Sequence, residues 1–183
     1  IFAVLHLIVR ITQKKILTGG ILCLFHFSAV FAQCPPNLDF ENGNFNGWTC
    51  FSGVARSVNN QNVISLTTAG QIAGRHEIIP SFPFPGYDEY GNFPKSCPNG
   101  SGYSIKLGDN TGKHEAEGIE YVFTIPPTAT DFSLVYHYVI VIEDPGHQLH
   151  EQPRLKIEVT NVTDDELLDC SSISFVAGSN LPG

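Results

Sequence analysis

From Trp48 onward the chain is a series of short segments in which apolar and polar residues alternate, each closed by turn residues. Successive side chains of a strand point to opposite faces, so alternation with a period of two marks a half-buried strand. Trp48–Val58 is one such segment, and Asn62–Thr68 sets Ile64 and Leu66 against Val63, Ser65 and Thr67. Gly102–Leu107 follows, and Gly118–Ile125 places Ile119, Tyr121, Phe123 and Ile125 on one face before Pro126-Pro127 ends it. Arg154–Val162 sets Leu155, Ile157 and Val159 against Lys156, Glu158 and Thr160. Asn37–Glu41 reads as a short opening strand and Leu167–Ala177 as the last one. The strongest strand signal is Phe132–Glu143, which is apolar on both faces; that pattern predicts a central strand of a sandwich. Residues 80–102 read as loop, because Pro80, Pro83, Pro85, Pro94 and Pro98 cannot donate to a ladder. So long a structured loop is usually functional or held by a cross-link. No segment shows convincing amphipathic helical spacing. The predicted class is all-β: an antiparallel β-sandwich, read as a jelly roll.

The amino end follows other rules. Arg10, Lys14 and Lys15 precede an apolar stretch from Ile16 to Phe31, which closes on Val30-Phe31-Ala32 before Gln33. A basic start, an apolar middle and small residues at −3 and −1 predict a cleaved secretory signal peptide. The stretch falls short of the roughly 20 apolar residues that a spanning helix needs, and Gly19-Gly20 weaken it further. Residues 1–32 are therefore assigned to the signal, and residues 33–183 to a single β-sandwich module. The apolar run of residues 1–9 fits no part of a signal and reads as spurious upstream sequence. The chain has no Met, so residue 1 is not expected to be the translation start. Its last residues, Leu181-Pro182-Gly183, resemble no terminal cap and suggest a module incomplete at its carboxyl end.

Charge narrows the partners. Ten Lys and Arg face 18 Asp and Glu, a formal net charge of −8, and no basic run is present. That balance argues against nucleic acid. It suits a solvated acidic surface, or Ca²⁺, which takes carboxylate and carbonyl oxygens. Beyond the signal stand Cys34, Cys50, Cys97 and Cys170, an even number in an exported chain, so two disulfides are expected with their pairing open.

Signs of catalysis are weak. His147-x-x-His150-Glu151 lacks the spacing of a zinc-peptidase motif and follows Pro145-Gly146, so it reads as a polar loop. Gly100-Ser101-Gly102 lacks the spacing of a nucleophile elbow. His137 reads as a strand histidine, and His76 and His114 as residues of polar loops. No enzyme is predicted and no cofactor is required. Binding has more support. Phe82, Phe84, Tyr87, Tyr90 and Phe93 crowd the Pro-rich loop, where their faces could stack on sugar C–H surfaces. Asp88, Glu89 and Asn92 could bond hydroxyls. The alternative is that these rings fold inward as a small core that holds the loop.

Asn37-Leu38-Asp39-Phe40-Glu41-x-Gly43-x-Phe45-x-x-Trp48 resembles the opening of galactose-binding-like jelly-roll modules. More specifically, an ordered set of segments resembles the amino-terminal module of large secreted Bacteroidetes surface proteins, which carry PKD repeats and a gliding-motility-type C-terminal sorting domain. These segments are Tyr90-Gly91-Asn92-Phe93-Pro94, Cys97 to Gly108, Ala116-Glu117-Gly118-Ile119, Tyr136-His137-Tyr138, Asp144-Pro145-Gly146-His147, Glu151-Gln152-Pro153-Arg154 and Leu181-Pro182-Gly183. The resemblance implies export, display at the cell surface and further domains of the same polypeptide beyond residue 183. It implies no known catalytic activity. It also implies a structural calcium near the opening segment, with Asp39, Glu41 and Asp169 as candidate ligands. The expected role is adhesion, or recognition of a glycan or matrix ligand through Tyr87, Asp88, Tyr90, Asn92 and Phe93. The alternatives are a carbohydrate-binding module on a secreted hydrolase and a purely structural spacer.

Overall fold

The computed structural model describes residues 4–13, 34–98, 100–111, 114–127, 129, 132–144 and 146–178. Its strands are β1 (Val4–Gln13), β2 (Trp48–Val58), β3 (Gln61–Ala69), β4 (His76–Pro80), β5 (Tyr103–Leu107), β6 (Glu115–Ile125), β7 (Arg154–Asn161), β8 (Glu166–Leu167) and β9 (Ile173–Val176). Two 3₁₀ turns, η1 (Leu149–Glu151) and η2 (Asp169–Ser171), are the described helical pieces. The protein is all-β. No described helix is long and apolar enough to cross a membrane.

The larger sheet runs β3-β2-β6-β1-β7-β8, with β9 also paired to β7. β4 and β5 form a separate antiparallel pair. The alternation seen in the sequence decides which side of each strand is buried. Ile119, Tyr121 and Phe123 of β6 and Leu155, Ile157 and Val159 of β7 are all buried. The β2–β3 hairpin turns on Asn59 and Asn60, both with positive φ (51° and 59°), as a tight two-residue hairpin turn requires. The β4–β5 pair lies over the large sheet: Ile78, Tyr103, Ile105 and Leu107 pack against Phe40, Phe45, Cys50 and Ile119. A second cluster of Tyr121, Phe123 and Val159 continues the core toward β7, and Trp48 touches both.

Several expectations need correction. Asn37–Glu41 is no strand; it is a run of turns wound around the Asn37 side chain. Asn37 is buried and gives its amide to the carbonyls of Asn44 and Asn46, while its Oδ1 accepts from the Asn42 amide. The Asn37 carbonyl takes the Trp48 indole N–H at 2.8 Å, and the Tyr121 hydroxyl donates to the Pro36 carbonyl at 2.5 Å. The opening motif is thus a hydrogen-bonded knot that anchors the chain to β2 and β6. His76, read as a loop residue, is a fully buried member of β4. Leu167–Ala177 is broken into β8, η2 and β9. Phe132–Glu143 forms no ladder, and β1, where no element was expected, lies between β6 and β7. The apolar stretch Ile16 to Phe31, Asn99, Pro145 and Leu181-Pro182-Gly183 lie outside the described residues.

Among the described residues Cys34, Cys50, Cys97 and Cys170 are all free thiols, so neither of the two disulfides expected of them is formed. Cys50 projects from β2 into the core, where its described neighbours are Phe40, Phe45 and Ile119, and burial pushes its thiol pKa up. Cys97 lies in the Pro-rich loop, Cys34 ahead of the Asn37 knot and Cys170 in η2.

Candidate functional site

The Pro-rich loop leaves β4 at Pro80 and rejoins the sheet at Tyr103. Its base is closed by Ser81 N–H to the Gly102 carbonyl at 2.9 Å and by Ser81 Oγ to the Ser101 carbonyl at 3.1 Å. Ser101 is buried and donates its hydroxyl to the Asp39 carbonyl at 2.7 Å, which ties the loop to the opening knot. Within the loop, Tyr87 bridges Pro94, Asp88 N–H donates to the Phe93 carbonyl, and Lys95 N–H donates to the Gly86 carbonyl. These bonds make residues 86–95 a miniature hairpin. Asp88 shapes its tip, since Oδ1 accepts the backbone N–H groups of Tyr90 (3.0 Å) and Gly91 (2.8 Å). The same bonds, that from Gly91 first, hold the Asp88 carboxyl below the usual carboxylate range, so it stays charged. The Phe93 ring packs over Gly91, where any added Cβ would lie 2.4 Å from the ring.

The rings of this loop point outward. Phe82 and Phe84 are 84% and 89% exposed, and Tyr87 and Tyr90 are 65% and 63% exposed. Only Phe93 is half-buried. The inward-folded core offered by the sequence as an alternative is therefore not what holds the loop; backbone hydrogen bonds and the Ser101 anchor do that. Phe82, Phe84, Tyr87 and Tyr90 are thus open to solvent within one short stretch of chain. Tyr87, Asp88, Tyr90, Asn92 and Phe93 all belong to the one hairpin tip.

The candidate calcium ligands are arranged differently. Asp39 and Glu41 face each other within the knot: the hydrogen bond between their side chains raises the pKa of Asp39 and lowers that of Glu41. Asp169 opens η2, between β8 and β9. Among the described residues no group of three or more His, Cys, Asp or Glu side chains is placed to hold a metal ion, so the three are not brought together.

One grouping was not anticipated. A cleft of about 230 Å³ is lined by Arg56, Asn62, His114, His147, His150 and Glu151. η1 packs against β2 and β3 there, and the Asn62 side-chain amide donates to the Gln152 carbonyl at 3.1 Å. The buried Gln152 in turn donates to Asp144 Oδ1 (2.7 Å) and to the His147 carbonyl (3.0 Å). The two histidines of the His147–Glu151 motif were legible. Their meeting with His114 and Arg56 was not, because it depends on strand register and on the course of the loop after residue 143.

No family model, no curated protein and no solved structure matches this chain.

Proposed function

We propose that this protein is a non-catalytic extracellular module, of a secreted or cell-surface protein, that recognises a glycan or matrix ligand through the tip of its Pro-rich loop. The observation that carries the reading is the outward set of Phe82, Phe84, Tyr87 and Tyr90 on a loop ordered by its own backbone bonds. Exposed rings on a pre-ordered support suit stacking against sugar faces, since little ordering entropy remains to be lost on binding. The charged Asp88 and the amide of Asn92 stand beside them and can bond hydroxyls. The paired carboxylates of Asp39 and Glu41 are where a structural Ca²⁺ would be expected to act. The finer fold belongs to the same proposal: a galactose-binding-like jelly roll, continued by strands and domains beyond residue 183. Its setting is the adhesive surface proteins that carry PKD repeats.

The test is a glycan array and polysaccharide pull-down of the full chain, with and without Ca²⁺, beside Tyr87→Ala and Tyr90→Ala. We expect binding to a defined glycan. Each substitution should weaken it tenfold or more, about 1.4 kcal/mol, with an unchanged melting temperature because both rings face solvent. Binding by the folded wild type that neither substitution alters would move recognition elsewhere on the molecule. No binding at all would favour a structural spacer.

A further inference from the structure

β1 is parallel to both of its neighbours: Leu5 is level with Glu117 of β6 and Leu155 of β7, and Val9 with Tyr121 and Val159. Every other pairing among the described strands is antiparallel. β6 and β7 therefore run the same way, one strand apart. The chain leaves β6 at Ile125 at one end of that slot and enters β7 at Arg154 at the other. It must travel the length of the slot in reverse to do so. Phe132–Glu143 is the part of the chain that makes this journey.

That segment already runs close to the slot. The Phe132 ring lies 5.4 Å from the Phe123 ring of β6. Leu134 packs against Tyr121 and Phe123 of β6 and Val159 of β7, the strands on either side. Tyr136 donates its hydroxyl to the Ser171 carbonyl at 2.9 Å, and Tyr138 meets Phe175 of β9. Its even-numbered side chains are mostly half-buried, while Val135 and Val139 on the other face are 74% and 62% exposed. A stretch of β-branched and aromatic residues with both faces apolar gains most between two strands, where both faces are covered. At about 3.3 Å per residue it is long enough to span the slot. The links at 126–131 and 144–153 are six and ten residues, longer than a tight hairpin turn but long enough to carry the chain from one strand to the next.

We propose that the slot between β6 and β7 is a strand-exchange site with two mutually exclusive occupants from this chain, Val4–Gln13 in parallel and Phe132–Glu143 in antiparallel. While β1 holds the slot, Phe132–Glu143 rides outside the ladder. When β1 leaves, Phe132–Glu143 enters and the sheet becomes a β6-(132–143)-β7 meander. The exchange itself needs no cleavage. Under the export reading, a cut after Ala32 removes the competing strand permanently and leaves the second arrangement in the mature module.

The exchange is tested on the full chain by residue-resolved amide hydrogen exchange, comparing wild type, Val9→Pro and Val9→Pro/Val139→Pro. Proline in mid-strand removes a ladder donor and disfavours that occupant without touching the other. We expect Val9→Pro to slow exchange across residues 133–142 roughly tenfold or more while β6 and β7 stay protected. The double variant should lose protection on β6 and β7 together. Fast exchange at residues 133–142 in Val9→Pro, or outright unfolding of that variant, overturns the proposal, because the second occupant then does not replace the first. Neither outcome depends on whether the export signal is cut, which is read separately from the amino-terminal sequence of the exported protein.

Discussion

Burial outweighs charge pairing at Glu117. The residue is 1% exposed on β6, and its Oε1 receives both Nε and Nη2 of Arg75. Arg75 also donates to the Ala116 carbonyl at 3.2 Å and lies 3.6 Å from Glu115. Even so, burial raises the Glu117 pKa against the pull of Arg75, because the second oxygen, Oε2, is buried without a hydrogen-bond partner. Removing either partner should therefore have unequal effects. Arg75→Ala leaves a buried carboxylate with no cation beside it and should cost about 3–5 kcal/mol. Glu117→Gln keeps an acceptor for Arg75 and discards the unfavourable charge, so it should cost far less. Urea unfolding of both variants at pH 7.5 checks this, and equal losses would refute the assignment. Nothing in the sequence singles out this pair. Glu117 sits beside a second acid in Glu115-Ala116-Glu117, and Arg75 is 42 residues away.

At the level of elements, close approach of backbones decides what each strand tolerates. Gly53 in the middle of β2 faces Ser65 of β3 so tightly that a Cβ would lie 1.8 Å from the Ser65 carbonyl oxygen. Backbone cannot rotate aside as a side chain can, so Gly53→Ala must part β2 from β3 or bend both. The loss should be roughly 1–3 kcal/mol, with faster amide exchange along β3 and little change in β7. Uniform destabilisation with β3 still protected would show that the strand absorbs the shift. The strands best read in advance are β2, β3, β5, β6 and β7, and the alternation is plainest in β3 and β7, where for most of the length every second residue is the more buried one. The misread segments fail for a common reason, which is that their partner decides their state. Phe132–Glu143 has the pattern of a central strand but meets an occupied slot, and β4 is recognisable only through its pairing with β5. Asn37–Glu41 looks extended by composition, yet Asn37 and Phe40 take positive φ (57° and 61°) to close the knot. The Pro-rich loop was legible as a loop, whereas the outward direction of its rings depends on the Ser101 anchor and the Asp88 turn.

For the molecule as a whole, the joint between the two layers contains a histidine that must stay neutral. His76 of β4 is 0% exposed; its Nδ1 accepts from the Ile72 N–H at 3.3 Å, its Nε2 stands 3.1 Å from the Phe51 carbonyl of β2, and its ring meets Phe45 edge-on. An acceptor at Nδ1 and a donor at Nε2 define the neutral tautomer, and a second proton would point at the Ile72 amide. Burial, first among the causes, accordingly lowers the pKa below 6.5, and the neighbouring Arg75 adds to it. The unfolded chain therefore binds a proton that the folded one refuses. The stability tied to neutral His76 is complete above pH 6.5 and is lost as pH falls from there toward its folded value, by at most about 1.4 kcal/mol per pH unit. Glu117 has the opposite sign: its folded pKa lies above 4.5, so acidification through that range favours the folded state. The two slopes are separated in the Glu117→Gln background. There, the unfolding free energy should fall from pH 7.5 to 5.5, and adding His76→Gln, which cannot take up the proton, should flatten most of that fall. An identical fall with and without His76 would place the acid sensitivity elsewhere and leave the joint between the layers indifferent to pH.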